Sequence, residues 1–264
     1  MSSASLSLKA VALPVEHGGW GFLVEPLVLG VFLAPSPAGL ALAVAAFGAF
    51  LTRHPLKLAL ADRQRGARYP RTAAAETFAL AYSLVAVAAL AIAIGAARAP
   101  FWLPLLLAVP FGLVQLAYDV RHRSRELVPE LAGAIALGAT VSAVVLAGGW
   151  QLRLALALWL IMAARAAASV LYIRTRLRLD RGLHPSLFST WASHLCGLAA
   201  VTGLAALGFA PWLAVLAFVA LLTRAAHGLS GLRRQVRPQV VGFREMAFGA
   251  LTVVLVALGY AFGL

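Results

Sequence analysis

Apolar residues run almost unbroken for about 20 positions at a time along this chain, and polar ones gather in short clusters between the runs. Residues 24–51 hold a single ionisable side chain, Glu25. Wound as a helix, a run of that length crosses a hydrocarbon core of roughly 30 Å. The pattern predicts nine spans, at about 18–34, 37–62, 73–96, 100–118, 127–148, 154–176, 187–208, 211–230 and 243–263. They use up the chain, so the expected fold is all-α: a polytopic membrane protein with one integral membrane domain over residues 1–264. Glu16 and His17 flank the first run and no small-residue cleavage site follows, so no removable signal peptide is expected.

Composition agrees with that class: 62% of residues are hydrophobic and 12% charged, whereas soluble domains run near 25% charged. The formal net charge of +13 would suit nucleic acid, but its placement argues against such a partner. If the spans alternate across a bilayer, all but Arg98, Arg153 and Arg165 of the 22 Lys and Arg residues border one side. That bias sets orientation, predicting a cytoplasmic N-terminus and an external C-terminus, and it draws the surface to anionic lipid headgroups. The lone Cys196 lies in an apolar run and supplies neither a disulfide nor a cysteine metal site.

The connections on the sparsely charged side are tight and rich in Pro and Gly, at residues 34–37, 98–100, 148–150 and 208–211, which predicts antiparallel neighbours. Trp102, Trp150 and Trp212 fall at those ends, where an indole suits the interface. The opposite connections are longer and highly charged, so binding chemistry belongs there.

Two charged stretches stand out. Arg53 to Arg71 holds Arg53, His54, Lys57, Asp62, Arg63, Arg65, Arg68 and Arg71. On a helix His54, Leu58 and Asp62 share a face, and Tyr172, Arg176 and Asp180 repeat that spacing in the second stretch. Each ends in Asp-Arg followed by glycine: Asp62-Arg63 with Gly66, and Asp180-Arg181 with Gly182. Arg174, Arg176 and Arg178 alternate and cannot all face one pocket; Arg176, in series with Tyr172 and Asp180, is the pocket candidate. Mixed charges after span 4, from Asp119 to Glu130, and Arg233, Arg234 and Arg237 read as solvation and orientation.

Inside the spans, Arg165 is the sharpest anomaly, near the middle of span 6, where a charge costs at least about 2.5 kcal/mol. Glu25, about 10 Å into span 1, is the carboxylate expected at comparable depth, so the two are expected to pair. His194 in span 7 is expected to be a hydrogen-bonded intramembrane histidine. At the first helix mouth Glu16 and His17 could serve as acid, base or ligand.

Two charged mouths four spans apart resemble the layout of the UbiA prenyltransferase superfamily, in which aspartate-rich motifs bind prenyl diphosphate through magnesium. Where those motifs place further aspartates, this chain has His54, Leu58, Tyr172 and Arg176. A hard magnesium ion wants several carboxylate oxygens, and only Asp62 and Asp180 remain. More narrowly, the Pro14-x-Glu16-His17-Gly18-Gly19-Trp20 start and the Arg53-His54-Pro55-Leu56-Lys57 run resemble the YwiC-like family of bacterial membrane proteins.

The resemblance implies a UbiA-like bundle in the bacterial inner membrane, with a basic cytoplasmic cavity built from spans 1, 2, 5, 6 and 7. Its expected ligand is an isoprenoid diphosphate or another phosphorylated lipid, its expected partners membrane lipids. The ligand-binding candidates are Glu16, His17, Glu25, Arg53, His54, Lys57, Asp62, Arg165, Tyr172, Arg176, Asp180 and His194, with no cofactor other than the magnesium discounted above. Two functions fit: a divergent prenyltransferase in which arginines replace the metal, and a non-catalytic transporter or lipid-binding accessory protein.

Overall fold

Among the described residues, nine long helices overlie the apolar runs. The computed structural model describes residues 8–13, 17–66, 68–121 and 123–264. The chain forms a short α1 (Leu8–Ala12), then α2 (His17–Leu33), α3 (Pro37–Gln64), α4 (Pro70–Ala96), α5 (Trp102–Val120), α6 (Leu127–Ala147), α7 (Leu152–Asp180), α8 (Phe188–Ala206), α9 (Trp212–Leu229) and α10 (Pro238–Phe262), with no strand among the described residues. Seven of them, α3 to α7, α9 and α10, are long and apolar enough to cross a membrane. α2 is a shorter apolar helix, and α8 carries Ser189, Thr190, Ser193 and His194 in its first two turns.

Local chemistry sets the helix ends. The Ser36 side chain accepts from the Gly39 amide at 3.0 Å to start α3, and Pro70 and Pro238 open α4 and α10, where a missing N–H costs nothing. The two charged helices end at Gly66 and Gly182, with φ of 67° and 75°, a left-handed turn that glycine enters without strain.

α6 is the centre of the bundle. It packs on α2, α3, α5 and α7, and its Val141 and Val144 are fully buried in the main core with Leu23, Leu29, Leu158 and Ile161. α2 lies between α6 and α10, while α7 reaches α8, α9 and α10. The α3–α4 hairpin stands to the other side, tightened where Gly48 meets Ala86. The tight turns do not all make neighbours. α4 and α5 have no extensive contact, because their link docks elsewhere: the Arg98 amide donates to the Ala147 carbonyl at 3.1 Å and Phe101 is buried, so α5 turns away onto α6.

Candidate functional site

The first charged stretch is satisfied by its own hairpin and by α5. Asp62, fully buried, accepts from Arg71 Nη2 at 2.8 Å, Arg71 Nε at 3.2 Å and Thr72 Oγ1 at 2.9 Å. It therefore pins the end of α3 to the start of α4. Arg53 and Lys57 both meet Asp119 on α5, with Arg53 Nε at 3.1 Å and Lys57 Nζ at 3.4 Å. His54 Nε2 lies 3.1 Å from the Ala10 carbonyl of α1, and Arg63 binds Glu76 at 2.7 Å. Asp119, read from sequence as a surface charge, is the anchor of this cluster. Asp62→Asn is expected to lower the melting temperature, by loosening the α3–α4 hairpin, without changing ligand binding; lost binding at unchanged stability would contradict this assignment.

The second stretch folds onto the chain that follows it. Arg176 Nε donates to Asp180 Oδ2 at 3.0 Å, and its other nitrogens donate to the carbonyls of Gly228 and Arg234. Arg174 reaches Glu130 at 2.6 Å and the Arg125 carbonyl at 3.0 Å. The two stretches share no ion pair among the described residues, and α3 has no extensive contact with α7. The cavity expected from spans 1, 2, 5, 6 and 7 is therefore displaced. The basic pocket lies between α7, α9 and α10, because Arg176 ties the loop before α10 over the end of α7.

That pocket holds about 650 Å³. Its basic lining is Arg176, Arg224, Arg233, Arg234, Arg244 and His227; Glu245 is its one acidic residue, and Leu232, Val236, Val241 and Phe248 form an apolar wall. Arg234 and Arg244 are exposed and have no carboxylate partner among the described residues.

Beneath the pocket lies a buried set of charges. Arg165, 2% exposed, sits 2.9 Å from Glu25 Oε1, so the expected pair forms, and it also donates to the Glu245 carbonyl at 3.0 Å. Arg224 Nη1 meets Glu245 Oε2 at 2.5 Å, where Ser169 Oγ also donates. Two cations and two carboxylates thus balance, which offsets the cost of burying each. The Arg224 guanidinium lies 4.2 Å from the Tyr172 ring centroid and 5.4 Å from that of Phe248, so aromatic faces fix its plane. Its Nη2 is 3.0 Å from His194 Nε2, while His194 Nδ1 is 2.8 Å from the Thr190 carbonyl. Guanidinium can only donate and a carbonyl can only accept, so His194 is a neutral imidazole with its proton on Nδ1.

Glycine makes room for this packing: a Cβ on Gly249 of α10 would overlap Glu25 and Arg165, and one on Gly228 would overlap the Tyr172 hydroxyl. Of the sequence candidates, Glu25, Arg165, Tyr172, Arg176, Asp180 and His194 gather in this half of the bundle, whereas Arg53, His54, Lys57 and Asp62 belong to the other. Glu16 and the His17 side chain lie outside the described residues. Arg224 and Glu245, at the heart of the network, were missed. Both are ionisable residues inside predicted spans, the same signal that exposed Arg165, but Arg224 counts with the orientation charges near its span end and Glu245 has no role in the sequence reading.

Asp62 and Asp180 do not fit a magnesium ion. Each is taken up by arginine, they stand in different halves of the bundle, and no three His, Cys, Asp or Glu side chains converge among the described residues. The chemistry on offer is anion binding by guanidinium beside an apolar wall.

A multi-pass helical membrane protein with a buried ion network beneath an arginine-lined pocket is the class these features define. Within it, the chain belongs to the YwiC-like family, whose model, described as YwiC-like protein, matches residues 13–145. No significant match was found among curated proteins or solved structures.

Proposed function

We propose that the pocket between α7, α9 and α10 holds the anionic headgroup of a phosphorylated amphiphile, an isoprenoid diphosphate being the simplest form, at the cytoplasmic side of a bacterial inner membrane. One observation carries the reading: of the five arginines that line the pocket, Arg176 and Arg233 share Asp180 and Arg224 meets Glu245, but Arg234 and Arg244 are left without an acidic partner among the described residues. Guanidinium stays charged and grips phosphate through paired hydrogen bonds. The apolar wall beside it suits the first part of a hydrocarbon chain. The same arginines belong to the basic side of the bundle, which supports the cytoplasmic assignment.

The test is direct. Arg234→Gln with Arg244→Gln should weaken binding of farnesyl diphosphate by about tenfold or more, since a hydrogen bond to a charged group is worth about 1.5–3 kcal/mol. Both side chains are exposed and unpaired, so the melting temperature should not move. Unchanged affinity would make them lipid-facing orientation charges. Orientation is checked separately: tags after Met1 and after Leu264 should report opposite sides, and one side for both would remove the nine-span topology.

Movement of the bound lipid fits better than its chemical transfer. The aspartates needed for magnesium-assisted prenyl transfer are engaged by arginines. Flux of a labelled lipid across liposomes would support a transporter, and formation of a prenylated product would instead restore the transferase reading.

A further inference from the structure

Between α9 and α10 the chain runs from Ser230 to Arg237 without regular structure, and it forms one wall of the basic pocket through Leu232, Arg233, Arg234 and Val236. Polar contacts fasten this segment to the end of α7. Arg176 donates to the carbonyls of Gly228 and Arg234, Gln235 Nε2 donates to the Asp180 carbonyl at 3.1 Å, and Arg233 Nη2 donates to the Leu179 carbonyl at 3.4 Å. Apolar burial adds little, since Leu232 is 80% exposed and Val236 only half-buried. A segment fastened in this way opens and closes at small cost. One contact in it is incomplete. Asp180 Oδ2 accepts from Arg176 at 3.0 Å, but Oδ1 stands 3.7 Å from Arg233 Nε; both atoms are buried, and neither has a hydrogen-bond partner among the described residues. Sealed from solvent, each atom can be satisfied only by the other. A charge-assisted bond between them forms at about 2.8 Å, so the segment is about 1 Å short of a closed latch.

The means of closing it sits on the next residue. Arg234 follows Arg233 in the chain, is exposed and has no carboxylate partner among the described residues, and Arg244 on α10 lines the same pocket in the same unpaired state. A phosphate held by both would tie the segment to α10 and remove much of its freedom. The entropy cost of ordering Arg233 would then already be met by the ligand, so its bond to Asp180 would form readily, and the headgroup would be held behind a closed wall. We propose that residues 230–237 are a strap that tightens over a phosphorylated headgroup, and that Asp180 is its positioning residue: Arg234 grips the phosphate while Arg233 beside it closes on Asp180 Oδ1. This rests on the headgroup reading of the pocket and gives the second charged stretch a part in it, since Asp180 touches no ligand and acts through Arg176 and Arg233. Two arginines on one carboxylate leave the latch cationic, so closing it does not repel the anion.

Hydrogen exchange read by mass spectrometry on the full chain in nanodiscs tests this, with inorganic pyrophosphate as the probe. In the unaltered protein pyrophosphate should slow exchange of the amides in 230–237 by about tenfold, the factor expected for one hydrogen bond to a charged group. Asp180→Asn keeps an acceptor for Arg176 but removes the charge that draws Arg233. Pyrophosphate should therefore still bind that variant, leave it about tenfold faster and add no protection to the strap. Asp180→Glu, which returns the charge, should restore part of both effects. Gln235→Ala loosens the strap at an exposed residue outside the pocket lining and should speed release about threefold; it decides the matter if Asp180→Asn fails to fold. Pyrophosphate that binds the unaltered protein without protecting 230–237 would overturn the strap and leave the headgroup reading standing, whereas no binding at all would remove both. Release from Asp180→Asn at the unaltered rate would also overturn the strap, leaving Asp180 as a tether for the end of α7.

Discussion

Arg165→Met should destabilise the detergent-solubilised protein by about 3–5 kcal/mol, the cost of breaking a buried ion pair from one side. The arginine has almost no access to solvent, and its loss strands Glu25 and frees the Glu245 carbonyl. Glu25→Met alone should cost a similar amount, because it strands the cation. Both together should cost much less than the sum, giving a coupling of about 2–3 kcal/mol in a double-mutant cycle of thermal or denaturant unfolding. A coupling near zero would mean that Arg165 serves α10 through the Glu245 carbonyl alone.

Gly249→Ala should be nearly as damaging, although it adds one methyl group. That methyl would occupy the space of Glu25 Oε1 and Arg165 Nη2 at once. The pair cannot step aside cheaply, because Arg165 is held by Glu245 and α2 is held by α6. Overpacking of a tight core costs about 1–3 kcal/mol, and displacement of an ion pair puts this substitution at the upper end, read as a fall in melting temperature. Gly95→Ala is the control: nothing lies within 4 Å of its Cβ position, so stability should hold. Equal, small effects at both glycines would show that α10 can shift and that the network is loosely held.

How far the sequence led depends on the link in question. The helices were legible because each is an almost uninterrupted apolar run, and the Arg165–Glu25 pair because a lone charge in such a run demands a partner. Neither Arg224 nor Glu245 was legible in role. A charge within two or three turns of a span end could as well extend to the headgroups, and only tertiary packing shows that these two turn inward. Asp62 and Asp180 misled in the opposite way. Their shared spacing suggested one site, but Arg71 and Arg176 neutralise them locally, one across the α3–α4 hairpin and one within α7, with α6 packed against both α3 and α7.

The same packing sets a basic pocket between α7, α9 and α10 and an apolar groove between α2 and α10. Both lie against α10, the pocket on its first three turns and the groove along the rest, and Arg165 joins Glu25 on one side to Glu245 on the other.

The central claim is that arginine alone, without metal, grips the phosphorylated headgroup. Titrating farnesyl diphosphate into the purified protein in nanodiscs, with excess chelator present throughout, tests it most directly. The account predicts saturable binding that chelator leaves unchanged and that inorganic pyrophosphate displaces. Binding that disappears on chelation and returns with magnesium, or no saturable binding in either condition, would contradict it.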